Sequence, residues 1–132
     1  MMKTVTLLFI THLLFIPTLF AIETNQFDNF QDGTLQGWGS GGPNPNPPHV
    51  VLDGGPNGTD DAYLLVTSNG SEGAGSKLIV FNAGQWNGNY INAGVTQISM
   101  YMNNFSDNEL KMRVVLQGSG GSFWSINSFR KS

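Results

Sequence analysis

Five aspartates fall into two short clusters, Asp28 and Asp32 in one and Asp53, Asp60 and Asp61 in the other, each set among Asn and Gly. Carboxylates in such company offer the hard oxygens that calcium takes from Asp, Asn and backbone carbonyls. If a sheet brings the two segments together, the five become the expected ligands of a structural calcium ion. The run Asp28-x-x-x-Asp32-Gly33 is not an EF-hand loop, because Phe30 stands at the third position, where that loop needs a ligand. The same aspartates also suit turns, which they cap through local backbone hydrogen bonds. Both readings stand. Glu72 is a further candidate oxygen donor.

A second chemistry belongs to the aromatic residues. Trp38, Trp86, Tyr90, Tyr101 and Trp124 form the pool from which a flat platform for the apolar face of a sugar ring can be drawn. In a small chain a tryptophan more often packs in the core with its N–H bonded, and Trp38 and Trp124 are expected to be structural in this way. Trp86 and Tyr90 instead lie in a Gly/Asn-rich loop, which makes them candidate ligand contacts. Asn87 and Asn89 are the amides placed to hydrogen-bond hydroxyl groups beside them, with Asn82 and Gln85 close by. These amides serve equally well as turn residues.

Catalytic constellations are scarce. There is no cysteine, no Gly-x-Ser-x-Gly elbow and no histidine cluster. His49 follows a proline-rich stretch at the start of a strand and reads as structural. Asp60 and Asp61 are neighbours, and neighbours on an extended chain point to opposite faces, a poor arrangement for a glycosidase pair. Asn57-Gly58-Thr59, Asn69-Gly70-Ser71 and Asn104-Phe105-Ser106 fit the glycosylation acceptor pattern, but Gly/Asn/Ser-rich loops generate such triplets by chance.

The elements that must carry these residues begin after an export signal. Lys3 precedes an apolar run that ends at Leu19-Phe20-Ala21, where a leader peptidase would cut after the small residue. The alternative, an uncleaved anchor helix, is weakened by Thr6, Thr11, His12, Pro17 and Thr18 inside a run already short for a span. Removing 21 of the 132 residues leaves 111, enough for one domain, expected over 22–132. That mature chain has five Lys and Arg against nine Asp and Glu, a formal charge of −4. So few cations exclude the phosphate-neutralising surface that nucleic-acid binding needs. With no second long apolar run, no membrane span is expected after the leader is removed, and the protein is expected to be secreted, periplasmic or at the cell surface. A small exported domain without disulfides needs another source of stability, such as a metal or a partner. Nothing in the sequence specifies an oligomeric state.

All 17 glycines follow the leader, and together with abundant Asn they disfavour helix. Strand patterns fill the gaps. Leu110, Met112, Val114 and Leu116 fall on one face and Lys111 and Arg113 on the other, the period-two alternation of a strand with one buried side. Further strands are expected at Val95 to Met102, His49 to Leu52, Ala62 to Thr67, Lys77 to Phe81 and Ser122 to Ile126, with Phe27 to Phe30 as a first edge strand. About seven strands parted by turns imply a β-sandwich. The stretch from Gly39 to Pro48 is expected to be extended and on the surface, since its prolines cannot donate to a ladder.

Within this pattern, Phe27-Asp28-Asn29-Phe30-Gln31-Asp32-Gly33-Thr34-Leu35-Gln36-Gly37-Trp38 resembles the opening of secreted bacterial jelly-roll domains. These are the carbohydrate-binding-module-like and laminin-B-like β-sandwiches. Asp61-Ala62-Tyr63-Leu64-Leu65-Val66-Thr67 looks like their second core strand, and Phe81 to Tyr90 looks like a loop of the bacterial members. The resemblance spans Phe27 to Ile126. It implies an all-β jelly-roll sandwich acting as a non-catalytic binding module for extracellular carbohydrate, with a structural calcium. Such domains usually continue for several more strands, including a late segment that often completes the calcium site, so the resemblance also implies a truncated or incomplete sandwich. The alternative expectation is a structural or adhesive surface protein, or a remnant without a ligand of its own.

Overall fold

A computed structural model describes residues 21–70 and 77–126. Residues 1–20 of the expected leader, Glu72, and the end of the chain after Ile126 lie outside the described residues. The chain divides into two compact units, Met1–Thr96 and Gln97–Ser132. The protein is all-β, and its strands are β1 (His49–Val51), β2 (Tyr63–Leu65), β3 (Val115–Gly118) and β4 (Gly121–Trp124), with no helix among the described residues. Among those residues no helix is long and apolar enough to cross a membrane.

In the first unit β1 pairs antiparallel with β2, with His49 opposite Leu65, Val50 opposite Leu64 and Val51 opposite Tyr63. β-Branched and aromatic residues favour this pleated, half-buried surface. The acidic loop between them bonds to itself. Gly55 donates its N–H to Asp61 O at 2.8 Å and Gly58 donates to Gly55 O at 2.9 Å. Gly55 has to be glycine, because a Cβ there would sit 2.6 Å from Asp61 Oδ2 and 2.8 Å from its carbonyl oxygen.

In the second unit β3 and β4 form an antiparallel hairpin, with Val115 opposite Trp124 and Gly118 opposite Gly121. Ser119 and Gly120 make a two-residue turn, the tight connection that glycine-rich dipeptides favour. Residues 110–115 alternate between half-buried and exposed, with Leu110, Met112 and Val114 inward and Lys111 and Arg113 outward. The expected facing is present from Leu110 to Val114, but Leu116, expected inward with them, is exposed, and of Leu110 to Leu116 only Val115 and Leu116 belong to a strand.

Four strand expectations are corrected. Phe27 to Phe30 is a turn approach rather than an edge strand: Phe30 has φ 57°, and its carbonyl accepts the Gly33 N–H at 2.9 Å. A left-handed aromatic residue ends any extended run. Of Lys77 to Phe81 only Phe81 pairs, in an isolated bridge to Gly39. Val95 to Met102 forms no ladder among the described residues. The strand expected at Ser122 to Ile126 is displaced to Gly121–Trp124. The proline-rich stretch is exposed at Pro43, Pro45 and Pro47 as expected, but Pro48 is buried, its apolar ring adjoining β1.

Large fully buried side chains are absent among the described residues, where besides Pro48 the buried residues are Ile22, 5% exposed, and Ala62, 4% exposed. Packing therefore does little to hold the first unit, and polar contacts between loops carry its organisation.

Candidate functional site

The organising group of the first unit is the Asp28 carboxylate. Its Oδ2 accepts the indole N–H of Trp38 at 2.6 Å and that of Trp86 at 2.6 Å. Its Oδ1 accepts the side-chain amide of Gln85. Hydrogen bonds to an ionised acceptor are roughly twice as strong as neutral ones, so one carboxylate staples the opening segment to the loop at 81–90. Other bonds reinforce the join. Gln26 donates its side-chain amide to Gln85 O at 2.8 Å, and Asn82 donates to Gln36 O at 2.9 Å. Gly39 and Phe81 exchange backbone bonds at 2.9 and 2.8 Å. At the start of the described residues, Ile22 donates its N–H to Asn87 O at 2.9 Å.

Trp38 keeps its expected structural place, half-buried with its indole N–H on a carboxylate. Trp86, a candidate sugar platform, is equally held. Trp124, expected to be structural, is instead 62% exposed at the end of β4; the short hairpin offers nothing to cover it. Tyr90 donates its hydroxyl to Trp86 O at 2.8 Å, and partial burial raises its pKa above 10.0. Asn89 Oδ1 caps its own turn by accepting the Asn92 N–H at 2.9 Å. Asn87 is exposed and uses its carbonyl on Ile22.

The aspartates face N–H donors rather than one another. Asp32 Oδ1 accepts both the backbone N–H and the hydroxyl of Thr34, each at 2.9 Å. The backbone bond from Thr34 is the leading cause of its lowered pKa. Asp53 Oδ1 accepts the Asp60 N–H at 3.0 Å, and Asp60 itself has φ 60°. Asp61 Oδ2 accepts the Asn57 N–H at 2.8 Å, the leading cause of its lowered pKa. Asp61 Oδ1 accepts the Gln31 side-chain amide at 3.0 Å. That last bond does join the two acidic segments, as a calcium site would require. Among the described residues, however, no three or more His, Asp or Glu side chains stand close enough to hold a metal ion. Asp28, Asp32, Asp53 and Asp61 accept N–H donors of turns and loop contacts, while Asp60 gives its backbone N–H to Asp53.

Beside Asp28 opens a cleft of about 870 Å³, lined by Glu23, Phe27, Asp32, Thr34, Gln36 and Gln85 among others. Its walls mix neutral amides, a hydroxyl and carboxylates, and Phe27 at its edge is 76% exposed. Residue patterns alone did not reveal this cleft, since it forms where the opening segment meets the loop at 81–90. The one signal available was the exposed-type aromatic Phe27 beside a carboxylate in the opening motif. No family model matches the chain, and neither a curated protein nor a solved structure matches it.

Proposed function

We propose that the protein is an exported, non-catalytic binding module of the jelly-roll type whose ligand is extracellular carbohydrate, taken in the cleft beside Asp28. The observation that carries this reading is the combination of cleft lining and rim. Amides, a hydroxyl and carboxylates suit the many hydroxyl groups of a neutral sugar, while the exposed Phe27 ring suits the apolar face of a pyranose. The lining is more polar than that of the usual small-ligand pocket, which favours a hydroxyl-rich ligand over an apolar one. Asp28 is committed to three N–H donors, which supports a positioning role and not that of a general base. Titration calorimetry of the mature chain against soluble plant and bacterial wall glycans tests the reading. Heat of binding to at least one is expected, and silence across the panel removes the carbohydrate claim.

An adhesive or structural surface protein is the second reading. It is favoured by the β3–β4 hairpin, which leaves the neighbours Phe123 66% and Trp124 62% exposed. Contiguous exposed apolar patches mark interaction surfaces.

A further inference from the structure

We propose that, once the leader is cut between Ala21 and Ile22, the freed amino group of Ile22 stays docked on the Asn87 carbonyl and fixes the loop bearing Gln85 and Trp86. The inference rests on the export reading above and is independent of carbohydrate binding.

Ile22 occupies an unusual place. With Pro48 and Ala62 it is one of three buried residues among those described, yet it sits directly at the expected cut. Its N–H is bonded to Asn87 O at 2.9 Å. The next residue of that loop, Gly88, packs so closely that a Cβ would lie 2.9 Å from Ile22 Cγ2 and 3.2 Å from Ile22 N. Gly88 has φ 144°, so both space and backbone conformation reserve the position for glycine. Ala21 is exposed, and Ala21, Ile22 and Glu23 together line the cleft.

Chemistry follows from this geometry. A leader peptidase adds water across the Ala21–Ile22 amide, leaving a carboxylate on Ala21 and an ammonium on Ile22. The neutral N–H donor to Asn87 then becomes a charged one, which strengthens the bond. The remaining ammonium hydrogens enter a cleft whose lining includes the Glu23 and Asp32 carboxyls. Gln85 and Trp86 immediately precede Asn87, so anchoring Asn87 steadies the groups that reach Asp28.

The test compares the mature chain beginning at Ile22 with a chain that begins two residues earlier, at Phe20, each with and without Gly88→Ala. The mature chain is expected to melt roughly 4–8 °C higher than the extended one, the shift that one modest interaction produces in a small domain. Gly88→Ala is expected to erase that difference by blocking the dock. The Ile22 amine is expected to react with an amine-labelling reagent about tenfold more slowly in the folded mature chain than in urea, since it reacts only on local opening. Equal melting of the two parents, or labelling as fast as in urea, overturns the dock while leaving export intact. An exported chain whose first residue is not Ile22 overturns the cut and the dock together.

Discussion

Trp38 and Trp86, carried by different loops, donate their indole N–H groups to the same oxygen, Asp28 Oδ2, each at 2.6 Å. One carboxylate thereby substitutes for the apolar core that the first unit lacks. The opening segment and the loop at 81–90 meet through polar bonds, and the cleft is the space left at that junction.

Replacing Asp28 with Ala leaves two indole N–H groups and the Gln85 amide without their acceptor. The expected loss is about 1–3 kcal/mol, the usual cost of stranding partly buried donors. Urea denaturation followed by tryptophan fluorescence checks it. Trp38→Phe and Trp86→Phe should each cost about 1 kcal/mol. In a double-mutant cycle the pair should depart from additivity, because the two share one acceptor.

Acid should weaken the fold through Asp32 and Asp61, whose pKa values lie below 3.8 because backbone N–H groups of Thr34 and Asn57 bond their charged forms. A carboxylate with a depressed folded pKa contributes stability that is present above its unfolded value and lost as pH falls through the folded one. Melting midpoints should therefore drop below pH 3.8. Asp32→Asn and Asp61→Asn should flatten that drop, and an unchanged acid limb in the double variant would contradict the assignment.

Alkali acts through Tyr90. Its partial burial favours the neutral phenol and raises its pKa. The unfolded chain then loses the Tyr90 proton first as pH rises past about 10, so stability present below that pH declines above it. Tyr90→Phe should remove this part of the decline, measured as the slope of melting temperature between pH 9 and 11.

The acidic loop bonds to itself, with the Gly55 N–H on Asp61 O at 2.8 Å and the Gly58 N–H on Gly55 O at 2.9 Å. Gly55→Ala should destabilise the same loop by about 1–3 kcal/mol, a typical cost of overpacking, because the new Cβ meets Asp61 at 2.6 Å.

Local pattern made part of the fold legible. β1 and β2 follow from Val, Tyr and Leu runs bounded by Pro and Asp-Gly, and the inward facing of Leu110, Met112 and Val114 follows from alternation. The hairpin turn at Ser119-Gly120 carried a signal that would have joined β3 to β4 directly. Other features depended on tertiary contacts. Phe27 to Phe30 has aromatic, strand-favouring residues, but Gly33 and the Gln36 side chain, which accepts the Phe30 N–H at 3.1 Å, turn it into a bend. The role of Asp28 was hidden because its partners lie 10, 57 and 58 positions away. A tryptophan's type does not reveal which carboxylate it will find, nor that Trp124 at the end of β4 stays 62% exposed.

The most direct measurement is calorimetric titration of the best-bound glycan against the mature chain, Phe27→Ala and Phe123→Ala. Losing the Phe27 ring should weaken binding by about tenfold or more, consistent with the 1.5–3 kcal/mol that covering an aromatic or aliphatic side chain provides, while Phe123→Ala binds like the parent. Undiminished binding by Phe27→Ala, or loss only in Phe123→Ala, would place the ligand elsewhere and contradict the cleft as the binding site.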